Sequence, residues 1–490
     1  MAAKIAVFSC VSLVLGLVVG AGARAQAPAV APIPEAAADW RTAEGELLGD
    51  YAQLTLPERY IKAGEAYFDH QTPPRWIVFQ ATQRPEKQGE EPSPHYAMYV
   101  AKLMYNAGNI VGIQEPKRLS LPGTANTCGW FHPQKPYTVL LGSTLTAPKK
   151  SDRPGFRVGT RSYVWQFPDE MEVCEISVSQ IALELPAGDP LGEDARGMES
   201  LLKEKMPAII ELRKAGKLGA YDKRFGALMA ECDKRFPRAR AIKNWSSPAP
   251  VFRRERYDAE CSYSPDGRFI LYTHIRGAQP GKDTPHDAPP PAPQNAPQNA
   301  PAKDDGDIWI YDTLTGGQHP IVVADGYDGG PFFSPDGKRI CYRSDRRGDD
   351  KLQIFVADLK FADGVPVGVT REHQLTMDDN VNWAPFWHPS GEFLIYASSA
   401  AGHSNYELFA LPVPPLGVKD ESDRARTPRR ITFAPGADIL PALSADGAWM
   451  MWTSQRGGAG PGEERPTSQV WVARVKGGAE QWTGQPKRAE

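Results

Sequence analysis

The chain has 490 residues, with 56 basic against 59 acidic side chains and a formal charge of −3. That balance leaves no basic surface on the scale that nucleic acid phosphates require, so nucleic acid is excluded as a partner. Glycine (45) and proline (46) make the chain turn-rich, but 10% aromatic residues supply a core, which excludes collagen and a chain disordered throughout.

Residues 1–25 read as an export signal: Lys4, an apolar stretch from Ile5 to Val19, then the small-residue pattern Ala23-Arg24-Ala25. An uncleaved anchor is the alternative, because the stretch approaches bilayer length. The loose run Gln26-Ala27-Pro28-Ala29 favours cleavage, which implies a periplasmic or secreted protein with no membrane span after cleavage. Residues 26–50 read as a disordered linker. Cys10 leaves with the signal, and the odd remainder argues against a complete disulfide framework. Cys128, Cys174, Cys261 and Cys341 sit in strand-like runs and Cys232 in a helical one, so they read as buried thiols, with one disulfide left open.

From residue 51 onward the chain repeats itself. Tyr263-Ser264-Pro265-Asp266-Gly267 returns as Phe333-Ser334-Pro335-Asp336-Gly337, as Trp387-His388-Pro389-Ser390-Gly391 and as Leu443-Ser444-Ala445-Asp446-Gly447. Weaker copies stand at Phe131-His132-Pro133 and, degenerate, at His70 to Phe79. Proline presets the second turn position, aspartate accepts from the backbone two residues on, and glycine supplies positive φ, so each copy predicts a reversal between antiparallel strands. A third apolar run follows each copy (Tyr96 to Leu103, Glu172 to Val178, Asp307 to Asp312, Gln353 to Leu359, Tyr406 to Val413, Gln469 to Val475). Fourth strands follow, as at Arg118-Leu119-Ser120-Leu121, His373 to Thr376 and Arg430 to Phe433. Four strands repeated six times predict an all-β, six-bladed β-propeller over residues 51–478. The last blade lacks a fourth strand, and Gln53-Leu54-Thr55-Leu56, standing before the first blade, is expected to close the ring.

Two insertions break the period. Residues 184–245 carry apolar positions at helical spacing, from Met198 and Leu201 to Leu228 and Cys232, and predict two amphipathic helices docked on the propeller. Residues 278–306 hold Pro289-Pro290-Pro291-Ala292-Pro293-Gln294-Asn295 and an echo of it, a composition that predicts a disordered loop. Residues 479–490 read as a disordered tail.

The segments Tyr257-Asp258-Ala259-Glu260 before the third copy, Gly329-Gly330-Pro331-Phe332-Phe333-Ser334-Pro335-Asp336-Gly337, and third strands such as Asp307-Ile308-Trp309-Ile310-Tyr311 resemble the Pro-Asp repeats of TolB-type six-bladed propellers. The resemblance covers roughly residues 50 to 478 outside the insertions. In TolB it implies a periplasmic partner of a peptidoglycan-associated lipoprotein. This chain departs from that pattern, because residues 26–50 are too few for the α/β domain that precedes the TolB propeller. Similar repeats are also fused to peptidases, or stand alone as exported proteins, and the last is the nearest pattern.

No Gly-x-Ser-x-Gly elbow, His-Glu-x-x-His, Gly-x-x-x-x-Gly-Lys or Gly-x-Gly-x-x-Gly appears, so the familiar hydrolase and nucleotide readings lack their first residue. No Cys-x-x-Cys has structural-zinc spacing. His132 and His388 stand where the repeat has serine and read as turn residues; His70, His274 and His403 read as loop or strand-end residues. Alignment of the copies yields one constellation: Asp258, Asp328, Asn382, Asp438 and Asn126, with Glu65 placed at the corresponding position of the first copy. All six carry side-chain oxygens and would begin the innermost strands, around one mouth of the channel. They either cap their own loops or form a binding ring, for a cation such as Ca²⁺ or for a basic or amide-rich peptide. Trp130, Phe332, Phe333, Trp383, Phe386 and Trp387 lie near the same strands, some packing between blades and others left for the channel.

These readings point to a monomeric, non-catalytic scaffold, with no resident cofactor beyond that Ca²⁺, that binds an envelope protein or peptide through one propeller face. The competing readings are a propeller enzyme or peptidase accessory acting on envelope glycans or peptides, and a plain envelope spacer. A cluster of Asp, Glu and His in an open pocket would favour the enzyme.

Overall fold

Ser264 Oγ donates to Asp266 Oδ1 and accepts from the Phe269 amide at 2.9 Å, while Asp266 Oδ1 accepts from the Arg268 amide at 3.0 Å. Gly267 completes the reversal at φ +72°. Ser334 with Asp336, and Ser444 with Asp446, repeat these bonds. Where histidine replaces serine the ring takes over the acceptor role. Nδ1 of His388 accepts from the Ser390 amide, and Nδ1 of His132 from the amides of Gln134 and Lys135, all at 3.1 Å.

The computed structural model describes residues 39–484 except 86, 88, 150–154, 157–162, 165–167, 242–246, 277–304, 350 and 418–426. The export signal and the Pro-rich stretch up to residue 304 therefore lie outside the described residues. The reversals join the inner strands of six antiparallel sheets, numbered here as blades I to VI. Their innermost strands are Tyr60–Phe68, Asn126–Phe131, Tyr257–Tyr263, Asp328–Phe333, Asn382–Trp387 and Asp438–Leu443. The third strands lie within three residues of their expected bounds. The fourth strands differ more. Arg429–Arg430 and Lys117–Arg118 are two residues each, and Val365–Gln374 begins well before His373 because it forms a hairpin of two ten-residue strands with Gln353–Ala362. Short outer strands limit exposed sheet edge. The chain is a six-bladed β-propeller.

Leu48–Gln53 closes the ring, pairing antiparallel with Gln469–Val475 so that Leu48 faces Val475 and Gln53 faces Trp471. The closing strand thus lies a few residues before the expected Gln53 to Leu56. The shift has a packing cause: it puts Leu47 and Leu48 into a buried cluster with Trp452 and Ala473. The linker reading of 26–50 is corrected over its last part, because helix α1 (Trp40–Glu44) and this strand bury Trp40, Glu44, Leu47 and Leu48. The tail is likewise folded as far as helix α6 (Ala479–Thr483): Trp482 is 1% exposed, stacks on Phe393 and donates to Lys476 O at 2.9 Å.

Between the third and fourth strands of blade II the chain leaves the sheet. It forms α2 (Ser179–Leu183), α3 (Pro190–Lys214), α4 (Leu218–Arg235) and α5 (Pro237–Ala241). Asp189 caps α3 by accepting from the Gly192 amide at 2.9 Å, with Pro190 in the first turn, where its missing N–H costs nothing. The helices share their own cluster of Met198, Leu201, Ile209, Leu228 and Cys232. Arg196 pins α3 to the propeller side by donating to the carbonyls of Leu183 and Leu185. All five cysteines of the described chain are free thiols.

Candidate functional site

The six innermost strands share one irregularity. Each carries a bulge whose first unpaired residue adopts left-handed backbone: Glu65, Cys128, Glu260, Gly330, Ala384 and Leu440, with φ between 45° and 59°. Left-handed backbone costs a residue with a Cβ about 1–2 kcal/mol, and here its repetition turns all six residues toward the axis. They surround a central cavity of about 20 Å³, room for about one water molecule. The channel is closed at this waist.

Beside the waist, Tyr67, Trp130, Phe332 and Phe386 pack ring against ring, with centroids 5.1 to 6.2 Å apart. These aromatics form a plug. Phe333 and Trp387 pack within and between blades, and Trp383 packs with Tyr327 and Leu352.

The waist is charged. Glu260 accepts from the Gly330 amide at 2.7 Å, from Tyr327 Oη at 2.6 Å and from Thr273 Oγ1 at 3.1 Å, and pairs with Arg343 at 3.1 Å. A Cβ at position 330 would clash with Arg343 Nη1, so any larger residue there would displace the guanidinium from its place beside Glu260. Glu65 accepts from the Cys128 thiol at 2.8 Å and from Thr127 Oγ1 at 3.4 Å. Burial pushes the Glu65 carboxyl up, against the pull of the thiol and of Arg343, and burial followed by the Glu65 charge pushes the Cys128 thiol far up. That thiol is a hydrogen-bond donor and a poor nucleophile.

The residues singled out from the repeat divide into five and one. Asp258, Asp328, Asn382, Asp438 and Asn126 stand at the same register at one end of the channel, each buried and held by its own partner. Asp258 bonds His274 Nδ1 at 2.8 Å; Asp328 pairs with Arg346 at 3.0 Å; Asp438 pairs with Arg456 at 2.5 Å and accepts from Trp452 Nε1 at 3.1 Å. Asn126 donates to Tyr96 O at 2.9 Å, and Asn382 to Asp378 Oδ1 at 2.9 Å. Glu65 is not their counterpart. The pairing puts Ala63 at that position and Glu65 two residues further, opposite Glu260 in the repeat. The cause is the blade I turn, which separates Phe68 from its partner Ile77 by nine positions, whereas Tyr263 and Ile270 are seven apart. Among the described residues, no group of three or more His, Cys, Asp or Glu side chains converges as a metal cage would.

Two carboxylates at blade edges carry a pH consequence. Burial pushes Asp69 up to about 6, and burial followed by the Asp258 charge pushes Glu172 up to about 7. The folded state then holds protons that the unfolded chain releases near pH 4, so these groups lower stability as pH rises from about 4 to about 7. An Asp69→Asn, Glu172→Gln double variant should show a flatter fall of urea midpoint between pH 4.5 and pH 7.5. An unchanged slope would refute the assignment.

On the face formed by the strand reversals lies a cleft of about 620 Å³, within the ordinary range of ligand pockets. One wall is propeller: Arg75 and Trp76 from the blade I turn, Gln134 and Tyr137 from the blade II turn. The other is the helical insertion, with Glu184, Leu191 and Arg238. Nothing in the repeat pattern marks this cleft, because half of it comes from the segment that interrupts the repeat.

No family model matches the chain. It is 31% identical over 181 residues to the "Uncharacterized peptidase YuxL" of Bacillus subtilis, covering 30% of this chain and 25% of that protein. It is 38% identical over 128 residues to "Dipeptidyl-peptidase 5" of Porphyromonas gingivalis, covering 25% of this chain and 16% of that protein. The chain thus spans a quarter or less of these relatives. Among solved structures it is similar to the putative TolB from Agrobacterium tumefaciens, with a TM-score of 0.41 and 11% identity over 84% of this chain and 90% of the other. No described helix is long and apolar enough to cross a membrane.

Proposed function

We propose that the protein is an exported, non-catalytic scaffold that holds an envelope protein or peptide on one face of its propeller, in the cleft between the blade I and II turns and the helical insertion. The observation that carries this reading is the cleft itself: about 620 Å³ of space on a face where the channel waist holds only about 20 Å³. The channel-mouth residues take a supporting role, since Asp258, Asp328 and Asp438 are committed to His274, Arg346 and Arg456 and fix the loops of the opposite face. The enzyme reading draws on the names of the two relatives, both peptidases. Against it, the acid–histidine pair Asp258 with His274 is closed to solvent: Asp258 is 0% and His274 5% exposed.

A photo-crosslinking residue at Gln134, compared with one at Asp349 on the opposite face, tests the reading in the exporting cell. The expected result is an envelope protein crosslinked from position 134 and not from 349, whose purified form binds the parent and not Gln134→Trp, which fills the cleft. Crosslinking from 349 alone, or undiminished binding to Gln134→Trp, would overturn it.

A further inference from the structure

The side chains that wall the cleft differ in how much hydrogen-bonding capacity they have left. Glu184 is held by Lys102 Nζ at 2.5 Å, and Asp189 is spent on capping α3. Both acids are therefore occupied. The two guanidinium groups are held only loosely: Arg75 lies 3.4 Å from Glu184 and Arg238 3.8 Å from Asp194, with side chains 41% and 62% exposed. Arg75 projects from the propeller wall and Arg238 from the helical wall, so the spare donors face the cleft from both sides. Gln71 and Gln134 add amide groups, while Trp76, Tyr137 and Leu191 supply apolar surface.

We infer that this cleft binds an extended peptide through a carboxylate clamped by Arg75 and Arg238, a deepening that rests on the binding reading above. A guanidinium fork pairs with a carboxylate through two parallel hydrogen bonds. The glutamines match the donors and acceptors of a peptide backbone, and the aromatic and leucine surface takes an apolar side chain. The charge balance selects a monoanion. Glu184 and Asp189, though their hydrogen bonds are occupied, offset the positive charge of the two arginines in the wall, so a dianionic phosphate is repelled more strongly than a single carboxylate on a neutral chain. The helical insertion explains itself in this role: by adding Arg238 to the cleft that Arg75 lines it supplies a second guanidinium to what would be an open turn surface.

The carboxylate can be a peptide C-terminus or an Asp or Glu side chain, and the probes separate the two. Fluorescence anisotropy of the whole mature protein would be followed with three dansylated peptides: Ala-Leu-Ala-Leu with a free C-terminus, the same peptide amidated, and amidated Ala-Glu-Ala-Leu. At least one acidic peptide should bind about tenfold more tightly than the neutral amide, and weaken with salt. Arg75→Gln with Arg238→Gln should remove that advantage; both side chains are exposed, so the variant retains its fold. The inference fails if the neutral amide binds as well as both acids, if the double variant binds like the parent, or if none of the three binds. Those failures leave the crosslinking result from Gln134 untouched, whereas loss of that crosslink with peptide binding intact would sink the wider reading alone.

Discussion

Replacing Arg456 by alanine is expected to cost about 3–5 kcal/mol of unfolding free energy, the ordinary penalty for removing one partner of a buried ion pair. Its side chain has no solvent exposure and sits between two carboxylates equally enclosed, Glu44 at 2.9 Å and Asp438 at 2.5 Å. Ser454 Oγ accepts from its Nε at 3.0 Å, and the guanidinium lies over Trp40 and Trp452 at 4.2 and 4.8 Å. Glu44 also accepts from the Phe433 amide and Tyr51 Oη, so the same cation ties α1 to the closing strand and to the link between blades V and VI. Alanine would leave two carboxylates buried without their counter-charge. The check is urea unfolding of the purified mature protein, reading a lower midpoint at unchanged slope. A triple variant, Arg456→Met with Glu44→Gln and Asp438→Asn, should recover most of the loss, because replacing a whole buried ionic group is far cheaper than breaking it. A single-variant loss below about 1 kcal/mol would show that the network does not hold the closing segment.

That network also shows where the repeat pattern stops informing. The turns were legible because each needs its own side chains locally: Asp266 and Gly267 do the same work as Asp336 and Gly337. Arg456 was within reach. Ser344-Asp345-Arg346 and Ser454-Gln455-Arg456 repeat a serine that accepts from the arginine two residues on, while that arginine pairs with the aspartate opening its blade. The partners from outside the repeat were not within reach, since Trp40, Glu44 and Trp482 lie in segments whose Ala, Pro and Gly content reads as unstructured. Their burial is decided by a surface hundreds of residues away. Glu65 was misplaced for a smaller reason, two extra residues in one turn. Correct placement would have joined it to Glu260 and shown that the residues lining the channel waist come from the bulge and not from the strand start. The cleft, finally, draws Arg75 and Arg238 from either side of an insertion boundary, and no periodicity encodes that.

The bulge layer carries the second large effect. Arg343→Ala should destabilise the protein by about 3–5 kcal/mol at neutral pH, because the guanidinium is the counter-charge of Glu260 at 3.1 Å and also donates to Tyr327 Oη at 2.8 Å. Glu65 shares the same cavity, already raised by burial and by the Glu260 charge. Removing the cation, whose charge pulls the Glu65 carboxyl down, raises that carboxyl further. The folded-state proton affinity of Glu65 then exceeds the unfolded value by more than in the parent, so the added loss grows as pH rises from about 4 through neutrality and shrinks again in acid. Unfolding at pH 5 and pH 8 should therefore show a larger deficit at pH 8. Glu65→Gln in the parent background is expected to be neutral or stabilising at pH 8, since it abolishes a charge that burial opposes while leaving an acceptor for the Cys128 thiol. Arg343→Met combined with Glu260→Gln should stand closer to the parent than Arg343→Ala does. If the deficit of Arg343→Ala is the same at both pH values, the waist holds its carboxylates by some means other than this cation. If Glu65→Gln is as damaging as Arg343→Ala, the Glu65 charge is required, and the waist would be a site that balances its own charges, with the carboxylate at 65 ionised in the folded protein.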